Sequence, residues 1–411
     1  MISTIVVVGG GQAGAQAVDT LRREGFAGRL LLICDEPALP YQRPPLSKRY
    51  LSGELTAERL PFRHRAFYEE HRVELRLGLP AVALDPRGRR LELADGESLS
   101  YDRLLLCLGA AARRLTCPGT DLPGLHYLRT VADVMLIRAA VKPGSHVVMI
   151  GGGYIGLEAA ATCRQMGCEV TVLELADRVM NRVVAPCVSQ FFAQEHLAQG
   201  IRILCNTRVT RLEGTGRIER VVCADGSEVA ADAVIVGVGA VPTTALASDA
   251  GLACNDGIIV DEYCRTQDEA IFAAGDCTNH PSPRFGRRVR IESVDNAFEQ
   301  AKTAALNLLD RKIAHDRVPW FWSDQFDSKL LIAGLSLDYD QQVLRGDPAS
   351  RSFSVCYLKG NELIAVEAIN HSKDYMAARK LIAERAQMNP AKLADPNLAL
   401  KEAAGNTQTG S

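Results

Sequence analysis

At 411 residues the chain is too long for one core and fits two to four domains, at roughly 100–200 residues each. Hydrophobic residues make up 47% and charged residues 23%, which excludes a disordered or fibrous chain. The 47 basic and 49 acidic side chains nearly cancel to −2, which removes the main sequence argument for a nucleic-acid partner.

In chain order, residues 4–14 (TIVVVGGGQAG) read as a β-branched strand running into Gly9-x-Gly11-x-x-Gly14. A helix with apolar positions Ala15, Val18 and Leu21 follows, then a strand Arg29–Cys34 ending in Asp35 and Glu36. Residues 146–156 (HVVMIGGGYIG) repeat the pattern with Gly151-x-Gly153-x-x-Gly156, a helix through Met166, and the strand CEVTVLE ending in Glu174. One such motif is a weak signal. Two, each between strand and helix and each with a carboxylate ~20–25 residues on, predict two dinucleotide sites. The first glycine turns tightly, the second admits a pyrophosphate, the third lets helix pack on strand, and the helix N-terminus faces the anion. The carboxylate accepts hydrogen bonds from a ribose. A nicotinamide nucleotide and a flavin are the expected pair, because one delivers hydride and the other accepts it.

Three further segments support the flavin. YDRLLLCLG (Tyr101–Gly109) and AVIVGVGAVP (Ala233–Pro242) read as buried strands ending in small-residue turns. TQDEAIFAAGDC (residues 266–277) places Asp276 after an apolar strand, where a carboxylate reaches a ribityl chain; a helix N-cap is the alternative. Beyond Pro319, short β-like runs (KLLIAGLSL, RSFSVCYLKG, ELIAVEAIN) alternate with turn residues, followed by a helical stretch Asp374–Gln387 and a tail of small and polar residues. No apolar run approaches the ~20 residues of a membrane helix and no leader pattern precedes the first strand, so a cytoplasmic protein is expected. The 12 cysteines are scattered without a CxxC, and the closest pair, Cys163 and Cys168, is expected to be buried packing.

The two glycine motifs, together with YQRPPLSK (Tyr41–Lys48), AIFAAGDC, RIESVDNAFEQ (Arg290–Gln300) and PWFWSDQ (Pro319–Gln325), resemble a family. It is the FAD-dependent NADH:ferredoxin reductases of bacterial cytochrome P450 and aromatic-ring dioxygenase systems, the putidaredoxin-reductase-like flavoproteins. The resemblance implies an α/β, glutathione-reductase-like fold with two Rossmann-like domains and a C-terminal α+β domain. It implies FAD binding by 1–110 and 240–318, NAD binding by 111–239, a third domain over 319–400 and a disordered tail over 401–411. Carried over residue by residue, Gly9, Gly11, Ala13 and Gly14 would hold the FAD pyrophosphate. Asp35 would hold its ribose, with Glu36 the competitor. Arg43, Lys48, Val82, Arg129, Asp276 and Val294 complete the flavin site. Gly151, Gly153, Tyr154, Ile155 and Gly156 would form the NADH phosphate turn, and Glu174 would take its ribose, with Arg178 and Arg182 as the residues that could instead welcome a 2′-phosphate. Glu158 would pair with Lys48 at the reacting edge, and Trp322, ahead of Trp320, would stand on the route to the acceptor.

That acceptor would be a [2Fe–2S] ferredoxin, met by a monomer or weak dimer near Arg63 and Lys302, with Arg65 a further candidate. A rubredoxin reductase shares fold and cofactors. A disulfide reductase or NADH peroxidase needs a thiol beside the flavin, and neither Gln12–Leu21 nor Tyr41–Tyr50 contains one. A non-catalytic flavoprotein would show a targeting peptide or a basic surface.

Overall fold

The computed structural model describes residues 2–405, which divide into two compact units. The first comprises residues 2–42, 57–111 and 241–319; the second comprises 43–56, 112–240 and 320–405.

In the first unit five strands form an all-parallel sheet in the order Ile271–Ala273, Arg103–Leu106, Thr4–Val8, Arg29–Ile33, Val73–Arg76. Side chains alternate across a strand, and here both faces are apolar. Ile5 and Val7 pack with Ala17, Val18 and Leu21 of the helix Gln12–Arg23 and with Ala301, Ala304 and Leu308 of the helix Val294–Leu308. Val6 and Val8 pack the other way, on Leu91, Leu99 and Tyr101. Cover on both faces is what lets a parallel sheet persist, and it explains why these strands read as unbroken Val/Leu/Ile runs. The cover on the second face is an antiparallel meander, Ala81–Asp85, Arg90–Leu93 and Ser98–Ser100.

The second unit repeats this plan. Its parallel sheet runs Arg202–Leu204, Glu169–Leu173, His146–Ile150, Ala233–Val236, Leu125–Tyr127. A meander of Val209–Glu213, Arg220–Cys223 and Glu228–Ala230 lies in the chain between Arg202–Leu204 and Ala233–Val236, as the first meander lies between Val73–Arg76 and Arg103–Leu106. The duplication therefore extends well beyond the glycine motifs. In both sheets the glycine turn leaves the central strand, where the chain winds first to one side and then to the other; such a switch point opens a crevice at the carboxyl ends of the strands.

From Trp320 onward an antiparallel sheet follows, in the order Trp320–Gln325, Ser328–Gly334, Glu362–Ile369, Ser352–Lys359, Gln341–Asp347. Ser354 turns to Asp374 of the helix Ser372–Ala383 on one face, and Phe353 meets Phe191 of the helix Pro186–Ala198 on the other. The buried Arg345 guanidinium bonds Asp374 at 2.8 Å and the carbonyls of Leu393, Asp395 and Leu398, which pins the final segment to the sheet. The helix expected over Asp374–Gln387 ends earlier, at Ala383, and Arg385 turns the chain with φ +52°. Leu400–Ala403 forms a 3-10 turn with Leu400 and Ala403 buried, so order continues past Lys401; residues 406–411 of the expected tail lie outside the described residues. Among the described residues no helix is long and apolar enough to cross a membrane.

Candidate functional site

Each glycine turn contains two kinds of glycine. A Cβ on Gly9 would lie 2.1 Å from the carbonyl oxygen of Cys107, and one on Gly14 would lie 1.9 Å from that of Gly9. In the second turn the corresponding distances are 2.5 Å, from Gly151 to Gly237, and 2.2 Å, from Gly156 to Gly151. Gly9 and Gly151 also have φ of +117° and +104°. The chain itself demands these four. Gly11 and Gly153 differ. No protein atom lies within 4 Å of their Cβ positions, and their φ of −87° and −78° suits any residue. A glycine the protein does not need marks space that something else fills.

Both are N-caps, of Gln12–Arg23 and Tyr154–Gln165, and neither helix has a side-chain cap or an acidic residue in its first turn. The unpaired N–H groups and the positive end of each helix dipole therefore face the same open space. Both turns fit the pyrophosphate of a dinucleotide. Buried Ala13 packs beneath the first, 3.3 Å from the Cβ position of Gly275.

Strand register places the carboxylates. Val8 pairs with Ile33 and Ile150 with Leu173, so the position equivalent to Glu174 is Cys34, one residue before Asp35. Glu174 Oε2 accepts the Gly152 N–H at 2.7 Å and Oε1 the Ala176 N–H at 2.8 Å, which sets the carboxylate beside the second turn. In the first unit Cys34 packs against Gly10 instead. Asp35 is exposed and accepts the Glu36 N–H at 3.0 Å, whereas Glu36 accepts the Tyr41 hydroxyl at 2.6 Å. Arg178 donates to the carbonyls of Val184 and Asn181 at 3.0 and 2.9 Å; Arg182 is exposed.

The densest polar cluster lies within the second unit. Tyr154, Glu158 and Thr162 are four apart, so they share one face of their helix. The 3-10 turn Pro44–Ser47, started by two prolines, lies against that face: Thr162 Oγ1 donates to the Ser47 carbonyl at 2.8 Å. Glu158, 5% exposed, then receives Lys48 Nζ and Ser47 Oγ on Oε2, both at 2.6 Å, and Ser323 Oγ on Oε1 at 2.7 Å. Gln325 Nε2 donates in turn to Ser323 Oγ at 3.2 Å. Along Trp320–Gln325 the alternation turns Phe321, Ser323 and Gln325 to this side, where the Phe321 ring stands 4.6 Å from that of Tyr154. Trp320 and Trp322 take the opposite face, with Trp320 beside Tyr375 and under Arg379. The structure thus joins Lys48 to Glu158 and sets Trp322 on the other side of the strand. Ser47 and Ser323 escaped the sequence reading although both lie in motifs it used. The available signal was a hydroxyl next to Lys48 and the two-residue period of the strand.

Arg43 Nη1 donates to the Arg129 carbonyl at 2.7 Å. In the first unit Asp276 follows Gly275 (φ +87°) and leads into the strand Thr278–Ser282, which removes the helix N-cap alternative. Val294 opens a helix capped by Ser293, and Val82 is exposed on Ala81–Asp85. Ile155 is exposed at the start of its helix. All 12 cysteines are free thiols. Burial pushes Cys34 up to about 12, and it also raises Cys107, Cys163, Cys168, Cys264 and Cys277. None of these is a ready thiolate at neutral pH. Arg63 is already engaged, 3.7 Å from Asp19 and over the Phe67 ring; Arg65 and Lys302 are exposed. Among the described residues no group of side chains could hold a metal ion.

Residues 3–301 match the pyridine nucleotide-disulphide oxidoreductase family, and residues 320–404 match its companion, the reductase C-terminal domain. Rhodocoxin reductase of Rhodococcus erythropolis is 42% identical over 97% of this chain and 93% of its own. A rubredoxin-NAD(+) reductase of Pseudomonas putida is 37% identical over 90% of this chain and 96% of its own. The crystal structure of the covalent putidaredoxin reductase–putidaredoxin complex superposes with a TM-score of 0.94 at 39% identity, covering 98% of both chains.

The two kinds of glycine respond differently to substitution. Gly11→Ala should fold but purify with little or no flavin, whereas Gly14→Ala, forced against a backbone carbonyl, should give little soluble protein. Gly153→Ala should keep its flavin and raise the KM for NADH. Absorbance at the flavin band, circular dichroism and steady-state kinetics check all three, and full flavin occupancy in Gly11→Ala would make that turn merely structural. Ser323→Ala leaves Glu158 Oε1 without its donor. Loss of a bond to a buried charged group costs about 1.5–3 kcal/mol. Flavin reduction by NADH, followed by stopped flow, should therefore slow roughly tenfold with little change in KM; an unchanged rate would show that the lysine keeps its place without the serine.

Proposed function

Because the chain belongs to the pyridine nucleotide-disulphide oxidoreductase family, we propose that it is the FAD-carrying, NADH-dependent reductase of a cytoplasmic electron-transfer system. In this reading it passes electrons to a [2Fe–2S] ferredoxin, which supplies a cytochrome P450 or a ring-hydroxylating oxygenase. The observation that carries this reading is the pair of vacant glycines, Gly11 and Gly153, at two uncapped helix N-termini: one chain, two dinucleotides.

When bound, FAD supplies the conversion between two-electron hydride transfer and one-electron transfer. The protein's part is orientation and charge. Gly9, Gly11, Ala13 and Gly14 hold the flavin's pyrophosphate and Asp35 its ribose, with Arg43, Val82, Arg129, Asp276 and Val294 as further contacts. Gly151, Gly153, Tyr154, Ile155 and Gly156 hold that of NADH, and Glu174 accepts hydrogen bonds from the ribose hydroxyls. Lys48 would present its ammonium to the flavin's reacting edge, where it would favour negative charge on the ring. Glu158, fixed by Ser47 and Ser323, keeps that ammonium aimed. No general base is required. Trp322, on the opposite face of the strand that delivers Ser323, is the proposed lining of the exit route.

Cys34, packed against the first glycine turn, is buried and its thiol is pushed up to about 12, which argues against a disulfide reductase or peroxidase, both of which need a thiolate beside the flavin. A rubredoxin as acceptor is the second reading, supported by similarity to rubredoxin reductases.

Anaerobic mixing of the NADH-reduced protein with [2Fe–2S] ferredoxins and with rubredoxins decides between these acceptors. Ferredoxin should be reduced at least tenfold faster, and a preference for rubredoxin would overturn the first reading. Because Arg63 is tied to Asp19, the charge-reversal pair that tests docking is Arg65→Glu with Lys302→Glu. It should slow ferredoxin reduction severalfold and leave a small uncharged dye unaffected, with the difference fading as salt shortens screening to ~8 Å. Glu174 repels a 2′-phosphate and Arg178 is spent on backbone carbonyls, so kcat/KM should favour NADH over NADPH by at least about tenfold. Glu174→Ala should narrow that gap.

A further inference from the structure

Glu367 lies on the strand Glu362–Ile369 in the C-terminal sheet and is 1% exposed. An unpaired carboxylate in such a place is costly, and a glutamine or an apolar residue would fit at less expense. Its partners explain what it does. Oε2 accepts the Ala185 N–H at 2.9 Å, and Oε1 accepts the Tyr357 hydroxyl at 2.7 Å. Ala185 ends the segment that begins at Glu174 and precedes Pro186, the first residue of the next helix.

That segment closes over the second glycine turn. The Met180 N–H donates to the Gly152 carbonyl at 2.9 Å, and Ser189 Oγ donates to the Val179 carbonyl at 2.6 Å. The Tyr154 hydroxyl donates to the Val183 carbonyl at 3.2 Å, and Arg178 ties Asn181 and Val184 together. At its start is Glu174, bonded to the turn; at its end is Glu367, bonded to the C-terminal sheet.

We propose that Glu367 is a positioning residue for the nicotinamide nucleotide: its ionised carboxylate, acting through Ala185, holds the 174–185 segment in the geometry that binds NADH. This rests on the reading that the second turn binds that nucleotide. Burial pushes the Glu367 carboxyl up to about 7, against the opposing pull of the Ala185 N–H, the Tyr357 hydroxyl and Arg178. The other groups facing it are Arg178 from the segment, Cys187 from the following helix, Tyr154 from the helix after the glycine turn, and Tyr357, which Tyr339 meets edge-on at 5.0 Å. Burial drives Cys187, Tyr154 and Tyr357 upward, away from neutrality. As pH falls through about 7, Glu367 takes up a proton, its attraction for Arg178 is lost, and the segment loosens.

The test is NADH oxidation by the holoenzyme, with ferricyanide as acceptor, from about pH 6 to about pH 8. In the unsubstituted protein the KM for NADH should rise roughly fivefold towards low pH, with kcat changing much less. Glu367→Gln removes the charge and keeps one acceptor for the Ala185 N–H, while its amide N–H donates to the Tyr357 hydroxyl instead of accepting from it. Its KM should be high and flat across the range, with unchanged flavin content and circular dichroism. Tyr357→Phe keeps the carboxylate and removes one donor to it, so its inflection should move to higher pH; this variant tests the idea even where Glu367→Gln fails to fold. Superimposable KM profiles for all three proteins would overturn the proposal. Failure of the unsubstituted protein to oxidise NADH would instead overturn the nucleotide reading itself.

Discussion

A carboxylate buried inside a protein must be met by donors, and Glu158 sets that demand at the centre of the second unit. At 5% exposure it cannot rely on water, and leaving one partner of a buried ion pair alone costs about 3–5 kcal/mol. Three donors arrive from two stretches far apart in sequence: Ser47 and Lys48 from the Pro44–Ser47 turn and its end, and Ser323 from the first strand of the C-terminal sheet. The Pro-Pro start, the threonine one helical turn beyond Glu158, and the strand alternation around Ser323 all serve to bring those donors in. Residues 43–56 belong to the second unit for this reason, although the sequence on both sides of them belongs to the first.

Much of this was legible before the structure. The strand–turn–helix repeats, the tight turns at Gly9 and Gly151 and the pairing of Lys48 with Glu158 follow from sequence pattern and resemblance. What was not legible depended on register or on distant partners. The strand-end carboxylates look equivalent in sequence, yet pairing of Val8 with Ile33 and Ile150 with Leu173 aligns Glu174 with Cys34. Sequence spacing cannot tell a strand from a helix after Asp276, because the glycine before it suits either. Arg63, expected at the docking face, stands 3.7 Å from Asp19 of the helix Gln12–Arg23, a neighbour no sequence spacing reveals. Ser47 and Ser323 are ordinary serines unless the acid they serve is known.

The C-terminal sheet does more than complete the second unit. Its first strand delivers Ser323 to the lysine cluster, and its third strand in spatial order delivers Glu367 to the segment that follows Glu174. Those are two polar contacts, one at each end of the helix-and-loop region that begins with the second glycine turn. Its opposite face is given over to structure: Ser354, Asp374 and Arg345 lock the last helix and the final segment in place.

Neither unit is a continuous stretch of chain; the backbone passes from one to the other five times. A nascent chain leaving the ribosome therefore cannot finish the first unit until residue 319 has been made. The strand Arg103–Leu106 pairs on one side with Thr4–Val8, but its other neighbour, Ile271–Ala273, is synthesised more than a hundred residues later. Throughout that interval the three leucines of Leu104–Leu106 form an open, wholly apolar sheet edge, the kind that recruits other chains. The second unit's sheet has no such wait on its corresponding side, because its fifth strand, Leu125–Tyr127, emerges before the first. The second unit's sheet is thus able to close while the first is still incomplete, and the order of synthesis makes the first unit's sheet the one most exposed to misassembly.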